Sequence, residues 1–121
     1  MAHIISVPAF SDHRGSLHVL EGVVPFDIKR VYFIHGVPGY PRGGHRHKKS
    51  VQALVCVSGS CLIYNHNGQK EEEFLLDSPA KCLLLQPEDW HIMKDFSHDA
   101  VLLVLSSTPY DINDYIDTPY S

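Results

Sequence analysis

Residues 39–59 read GYPRGGHRHKKSVQALVCVSG, and the spacing inside this stretch decides the architecture expected for the chain. Gly39 is followed after five residues by His45-Arg46-His47, after four more by Gln52 and after six more by Gly59. His45 and His47 are two apart, so on an extended segment they project to one side. Gln52 lies an odd number of positions away and joins them only if the chain turns between. Lys48-Lys49-Ser50 is short and polar enough to supply that turn, after which Val51 to Val57 reads as a fresh strand. Two imidazoles and an amide then converge on one cavity.

Working outward, short apolar runs recur at near-regular intervals: Ile4–Val7, Leu17–Leu20, Ile28–Ile34, Val51–Val57, Cys61–Tyr64, Glu73–Leu76, Cys82–Gln86, His91–Met93 and Ala100–Leu105. Turn residues separate them, as at Arg14-Gly15, Pro38-Gly39 and Ser58-Gly59-Ser60. Asn67-Gly68 carries the strongest hairpin signal, because both residues tolerate positive φ. About nine strands and little helix predict an all-β fold, an antiparallel sandwich or barrel, in a single domain spanning 1–121. Val101–Leu105 and Cys82–Leu85 are apolar on both faces, which predicts a second covering layer and, as one way to supply it, a homodimer. The tail Tyr110–Ile116 reads as a short helical turn over the barrel, with no chemistry of its own.

With 44% hydrophobic and 20% charged residues, the composition is that of an ordinary globular domain. No apolar run approaches the roughly 20 residues of a membrane span. The start, MAHIISVPAF, lacks the pattern of a signal peptide, and a cytoplasmic location is expected. Cys56, Cys61 and Cys82 lack paired metal-site spacing and read as buried free thiols. A net charge of −4 argues against a nucleic-acid partner. Yet six of the ten lysines and arginines fall between Lys29 and Lys49, around the histidine pair. Beside a polar cavity, that concentration points to a phosphorylated small molecule.

The glycine and histidine spacing resembles the first signature of the cupins, small jelly-roll barrels that commonly hold a metal on His, His, Glu and a later His. Gln52 stands where those proteins carry a carboxylate, and a neutral amide is a poor ligand for a divalent cation. In the second signature region, Pro87-Glu88-Asp89-Trp90-His91, the histidine comes one residue early. Three readings of His45 and His47 remain: polar residues at a strand end, metal ligands, or acid–base groups working without metal.

Most of the chain is similar to one family, the nucleotide-sugar 3,4-ketoisomerases that act on dTDP-4-keto-6-deoxyglucose. The residues that carry this are Arg14-Gly15-Ser16-Leu17, Ile28-Lys29-Arg30-Val31-Tyr32, Pro41-Arg42-Gly43 leading to His45-Arg46-His47-Lys48-Lys49, Gln52, Gly59-Ser60, Trp90-His91, and Tyr110-Asp111 with Asp114-Tyr115. The resemblance implies a homodimeric jelly roll that moves a carbonyl from C4 to C3 of a dTDP-linked keto-deoxysugar, with no metal or cofactor. It also implies that His45 and His47 lie at the sugar, with His47 favoured as base and His45 as its partner. Tyr32, Gln52 and Arg14 are candidate donors to the enediolate oxygens. Arg30 and Arg42 are candidates for the diphosphate, and Trp90, His91 and Lys94 for further contacts with the sugar nucleotide. Lys94 stands where the family commonly has a different basic group. A metal-dependent cupin enzyme and a non-catalytic carbohydrate-binding barrel are the competing readings.

Overall fold

The computed structural model describes residues 1–121 and contains twelve strands with one short helical turn. The strands are β1 (His3–Ser6), β2 (Ala9–Asp12), β3 (Gly15–His18), β4 (Arg30–His35), β5 (Arg42–His47) and β6 (Gln52–Ser58). They continue as β7 (Cys61–His66), β8 (Glu71–Leu76), β9 (Lys81–Leu85), β10 (Trp90–Lys94), β11 (Val101–Ser106) and, after a 3₁₀ turn at Ile112–Asp114, β12 (Tyr115–Ile116). One five-stranded sheet has the order β1-β9-β6-β11-β4, the other β12-β5-β10-β7-β8, and β2-β3 stands apart as a hairpin. Every pairing is antiparallel.

Alternation along each strand sends one set of side chains between the two sheets. Leu54, Cys56, Leu83, Leu85, Leu102 and Val104 from the first sheet meet Cys61, Ile63, Leu76 and Met93 from the second in one core. The first sheet is buried on its other face as well. There Ala53, Val55, Cys82, Leu84 and Leu105 pack beneath Leu20, Val23, Val24 and Phe26, from the segment that leads into β4. This explains the strands that are apolar on both faces: the chain supplies part of the second layer itself. The cover is incomplete, since Val31 and Phe33 on the outer side of β4 remain 59% and 63% exposed.

Two local expectations change. The β7–β8 connection is a longer turn than a two-residue hairpin loop, because the Asn67 side-chain oxygen accepts from the N–H groups of Gln69 and Lys70, leaving only Gly68 at positive φ. The strand expected at Leu17–Leu20 begins earlier, at Gly15, and pairs with an unforeseen β2.

Candidate active site

Two consecutive glycines set the histidines. Gly43 and Gly44 adopt φ of 85° and 78°, where the register between β5 and β10 shifts. Such a conformation is strained for any residue with a Cβ, and the extra residue forms a bulge that resets the alternation. Arg42 therefore lies opposite inward-facing Met93, and His45 opposite inward-facing His91. The strand ends at His47, whose N–H donates to the Pro87 carbonyl at 2.8 Å. Lys48 to Val51 then turn the chain into the facing sheet, where Gln52 opens β6 fully buried. The odd spacing between His47 and Gln52 is thus accommodated by a change of sheet.

His45, His47 and His91 cluster, with ring centroids 5.2 Å apart for His45 and His47 and 5.1 Å for His45 and His91. The Tyr115 ring lies 4.7 Å from both His45 and His47. His47 Nδ1 is 2.9 Å from Asp114 Oδ2, and the pair is almost wholly buried. The carboxylate accepts, so Nδ1 carries the hydrogen and Nε2 is left with a lone pair. That Nε2 is buried without a partner, as are His91 Nε2 and Gln52 Oε1. Buried polar atoms are nearly always satisfied, so these three are available to water or to a polar ligand.

Burial holds all three imidazoles neutral. His45 is pushed down to about 4 by desolvation and by its neighbour His47. His91, whose Nδ1–H donates to the Asp89 carbonyl at 3.1 Å, is pushed down to about 3, mainly by burial. Burial also lowers His47, but there the Asp114 carboxylate works in the opposite direction. Burial opposes the charge on Asp114, while the Ser50 hydroxyl, the Lys49 N–H and the His47 ring together hold its carboxyl below the usual range.

Around this centre, Tyr32 receives a long hydrogen bond from Gln52 Nε2 at 3.4 Å, and burial raises its hydroxyl pKa against the opposing charges of Arg30 and Arg42. Arg30 Nη1 donates to the Tyr115 hydroxyl at 3.0 Å, and its guanidinium lies over the Tyr32 ring at 4.3 Å. Arg42 is exposed on the histidine-bearing face. His45, His47, His91, Tyr32, Gln52, Arg30 and Arg42 are thus gathered as expected from the sequence.

Three expected residues are not. Trp90 alternates with His91 and faces outward, where its Nε1–H donates to the Asp117 carbonyl at 3.1 Å and its ring meets Tyr64 edge-on. Lys94 lies on the same outer face, 3.1 Å from Glu73. Arg14 sits at the tip of the β2-β3 hairpin, 79% exposed and paired with Asp12. Arg46, one of the flanking cations, also points away from the cavity and donates to the Tyr120 hydroxyl at 2.8 Å. Conversely, the tail expected to lack chemistry supplies Asp114 and Tyr115. The signal was present in Asp114-Tyr115, a carboxylate and a phenol after a turn that returns them to the end of β5.

The cupin precedent of a bound metal does not transfer to this donor set. No group of three or more His, Cys, Asp or Glu side chains is arranged to hold an ion. Asp114, the carboxylate nearest the ring, is committed to His47 Nδ1, and Gln52 offers only a neutral oxygen. The chemistry of this site is therefore derived from its imidazoles, hydroxyls and carboxylate alone.

The polar end of the barrel thus brings together a histidine–aspartate pair, two further imidazoles and two arginines. Residues 1–120 match the family model described as FdtA, WxcM-like, C-terminal, and the chain belongs to that family. It is 47% identical over 116 residues to the TDP-4-oxo-6-deoxy-alpha-D-glucose-3,4-oxoisomerase of Aneurinibacillus thermoaerophilus, covering 93% of this chain and 84% of that protein. The WlaRB TDP-quinovose 3,4-ketoisomerase from Campylobacter jejuni superposes with a TM-score of 0.91 at 42% identity, covering 97% and 92% of the two chains. A histidine-to-asparagine mutant of the 3,4-ketoisomerase QdtA from Thermoanaerobacterium thermosaccharolyticum, in complex with TDP-4-keto-6-deoxyglucose, superposes with a TM-score of 0.93 at 38% identity, covering 97% and 87%.

Proposed function

We infer that this protein is a sugar-nucleotide 3,4-ketoisomerase of deoxysugar biosynthesis, converting dTDP-4-keto-6-deoxyglucose to a dTDP-3-keto-6-deoxyhexose. The observation that carries the mechanism is His47: Nδ1 tied to a buried carboxylate, Nε2 bare inside the barrel. The C4 ketone acidifies the hydrogen on C3, and His47 Nε2 removes it as a proton to give an enediolate. Asp114 stabilises the imidazolium formed. Tyr32 and Gln52 are placed to serve the enediolate oxygens, with Tyr115, steadied by Arg30, as a further hydroxyl. A proton is then delivered to C4. Across the reaction C3 loses a hydrogen and C4 gains one, while the hydroxyl hydrogen on O3 is replaced by one on O4. One proton moves from C3 to C4 and another from O3 to O4, so the conversion is redox-neutral overall and no external oxidant or reductant is consumed. His45, edge-on to His47, is its partner in passing the abstracted proton on to C4. Arg42 at the open face is the contact assigned to the diphosphate.

The same reading takes the chain as one domain that works as a homodimer. Support for the dimer comes from exposed Val31 and Phe33 on the outer sheet face and exposed Phe10 and Leu17 on the projecting hairpin. Arg14, at that hairpin's tip, is assigned to substrate only within such an assembly. Three free cysteines fit a reducing compartment and support a cytoplasmic location.

The test is incubation with dTDP-4-keto-6-deoxyglucose in deuterium oxide, with the product assigned by NMR. The wild type is expected to yield the 3-keto isomer, and His47→Asn to lose about 10³-fold or more in kcat. An unlabelled, unconverted sugar overturns the enzymatic reading, and full activity in His47→Asn overturns the base.

A further inference from the structure

Behind the His47–Asp114 pair runs a chain of hydroxyls. Ser50 Oγ lies 2.5 Å from Asp114 Oδ2 and 2.5 Å from Thr108 Oγ1. A serine hydroxyl has one hydrogen, and an ionised carboxylate can only accept. The Ser50 hydrogen therefore points to Asp114, and Thr108 must donate to Ser50. The chain has a single polarity, Thr108 O–H to Ser50 O–H to Asp114 Oδ2, and the same oxygen also receives Nδ1–H of His47. The second oxygen, Oδ1, receives the Lys49 N–H at 2.8 Å.

We propose that Ser50 and Thr108 are positioning residues for the isomerase: their hydroxyl pair fixes the charge and orientation of Asp114, and through it the His47 tautomer whose Nε2 faces the sugar. The inference rests on the reading of His47 as the base. Neither residue touches the space between the three imidazoles. Ser50 is buried in the β5–β6 turn, and Thr108 follows β11 and lines an outer cavity of about 380 Å³ with Lys49, Tyr110, Asp111 and Asp114. Charged and titratable groups enter this arrangement from every side. Asp114 faces His47 of β5, Lys49 of the turn, and Tyr110 and Asp111 of its own segment. The His47 ring meets His45, His91 and Tyr115, and feels the charge of Arg30. Among these neighbours, Ser50 and the Lys49 backbone donate directly to the carboxylate while carrying no charge of their own. Removing the Ser50 donor leaves Asp114 less stabilised as an anion and a stronger partner for a proton on His47.

The test compares Ser50→Ala, Thr108→Val and Thr108→Ser with the wild type. Ser50→Ala is expected to lower kcat about 10- to 100-fold, as for loss of a hydrogen bond to a charged group, with KM changed less than about twofold. The acid limb of its kcat/KM profile moves to higher pH. Thr108→Val keeps the side-chain shape and moves both readouts in the same direction by less, and it carries the test if Ser50→Ala does not fold. Thr108→Ser restores wild-type behaviour. Nitrogen-15 NMR of His47 reads the ring without turnover: the wild type shows Nδ1 protonated near neutral pH, and the variants show a mixture of tautomers. A wild-type tautomer together with kcat within about twofold in the folded variants overturns the proposal. Failure of the base assignment is recognised separately, by an active His47→Asn.

Discussion

The interior of the barrel has two ends that share strands and differ in chemistry. On neighbouring β4, β11 and β6, the register stacks inward-facing residues in rungs: Arg30, Ser106 and Gln52, then Tyr32, Val104 and Leu54, then Ile34, Leu102 and Cys56. On β10 the same step runs from His91 to Met93. Within two rungs the wall passes from cation, hydroxyl and amide to hydrocarbon. The apolar end contains fully buried Leu54, Ile63, Leu83 and Leu102 within one core cluster, whereas the polar end leaves His47 Nε2, His91 Nε2 and Gln52 Oε1 buried and unpaired. One end can stabilise the fold, and the other holds polar atoms that no protein group satisfies. Substitutions at the two ends should therefore separate cleanly into losses of stability and losses of turnover.

The largest effect that would break this division lies at the polar end. Asp114→Asn keeps the size of the side chain and presents an amide to His47 Nδ1, which can reverse the hydrogen bond and turn the wrong nitrogen to the sugar. A fall in kcat of about 10³-fold or more is expected, with KM little changed, by analogy with the orienting aspartate of serine hydrolases. Steady-state kinetics measure it, and a change of less than about tenfold would show that His47 does not depend on its carboxylate. At the other end, Leu102→Ala leaves a cavity in the core and should cost about 2–5 kcal/mol of stability, read from urea unfolding. The kcat of the fraction that remains folded should stay within about twofold of wild type. A large loss of turnover in folded Leu102→Ala would mean that the two ends are coupled through the shared strands.

Which parts of this division could be read in the sequence follows from the physics of strands. Period-two alternation and turn residues were enough for an all-β sandwich or barrel, for most strands of both sheets and for the pairing of His45 with His47. The same alternation failed where its phase shifts. Trp90 and His91 are adjacent, so one enters the cavity and the other must leave it, and spacing alone does not say which. Gly43-Gly44 resets the phase through a bulge, which brings Arg42 to the side of the histidines despite its odd separation from His45. Asp114 was hidden for another reason. Sixty-seven residues separate it from His47, and β12, which pairs Tyr115 with His47, is two residues long and has no periodicity to detect. A buried hydrogen bond between distant segments leaves no local pattern.

The smallest effect sharpens the comparison by asking what the unpaired imidazoles cost the fold. His91 is fully buried and its pKa is pushed down to about 3, against an ordinary value near 6.5. The unfolded chain takes up a proton at this position as pH falls through about 6.5, while the folded chain refuses it until near pH 3. The folded state is therefore at full strength above pH 6.5 and weakens steadily below it, by about 2 kcal/mol at pH 5 from His91 alone. His91→Asn retains an N–H for the Asp89 carbonyl and has nothing to protonate. Urea unfolding of the wild type at pH 7 and pH 5 should show that loss, and His91→Asn should show a drop smaller by about the same amount. Equal drops in the two proteins would mean that the polar end already admits a proton at His91, and that its imidazoles are not held neutral by burial.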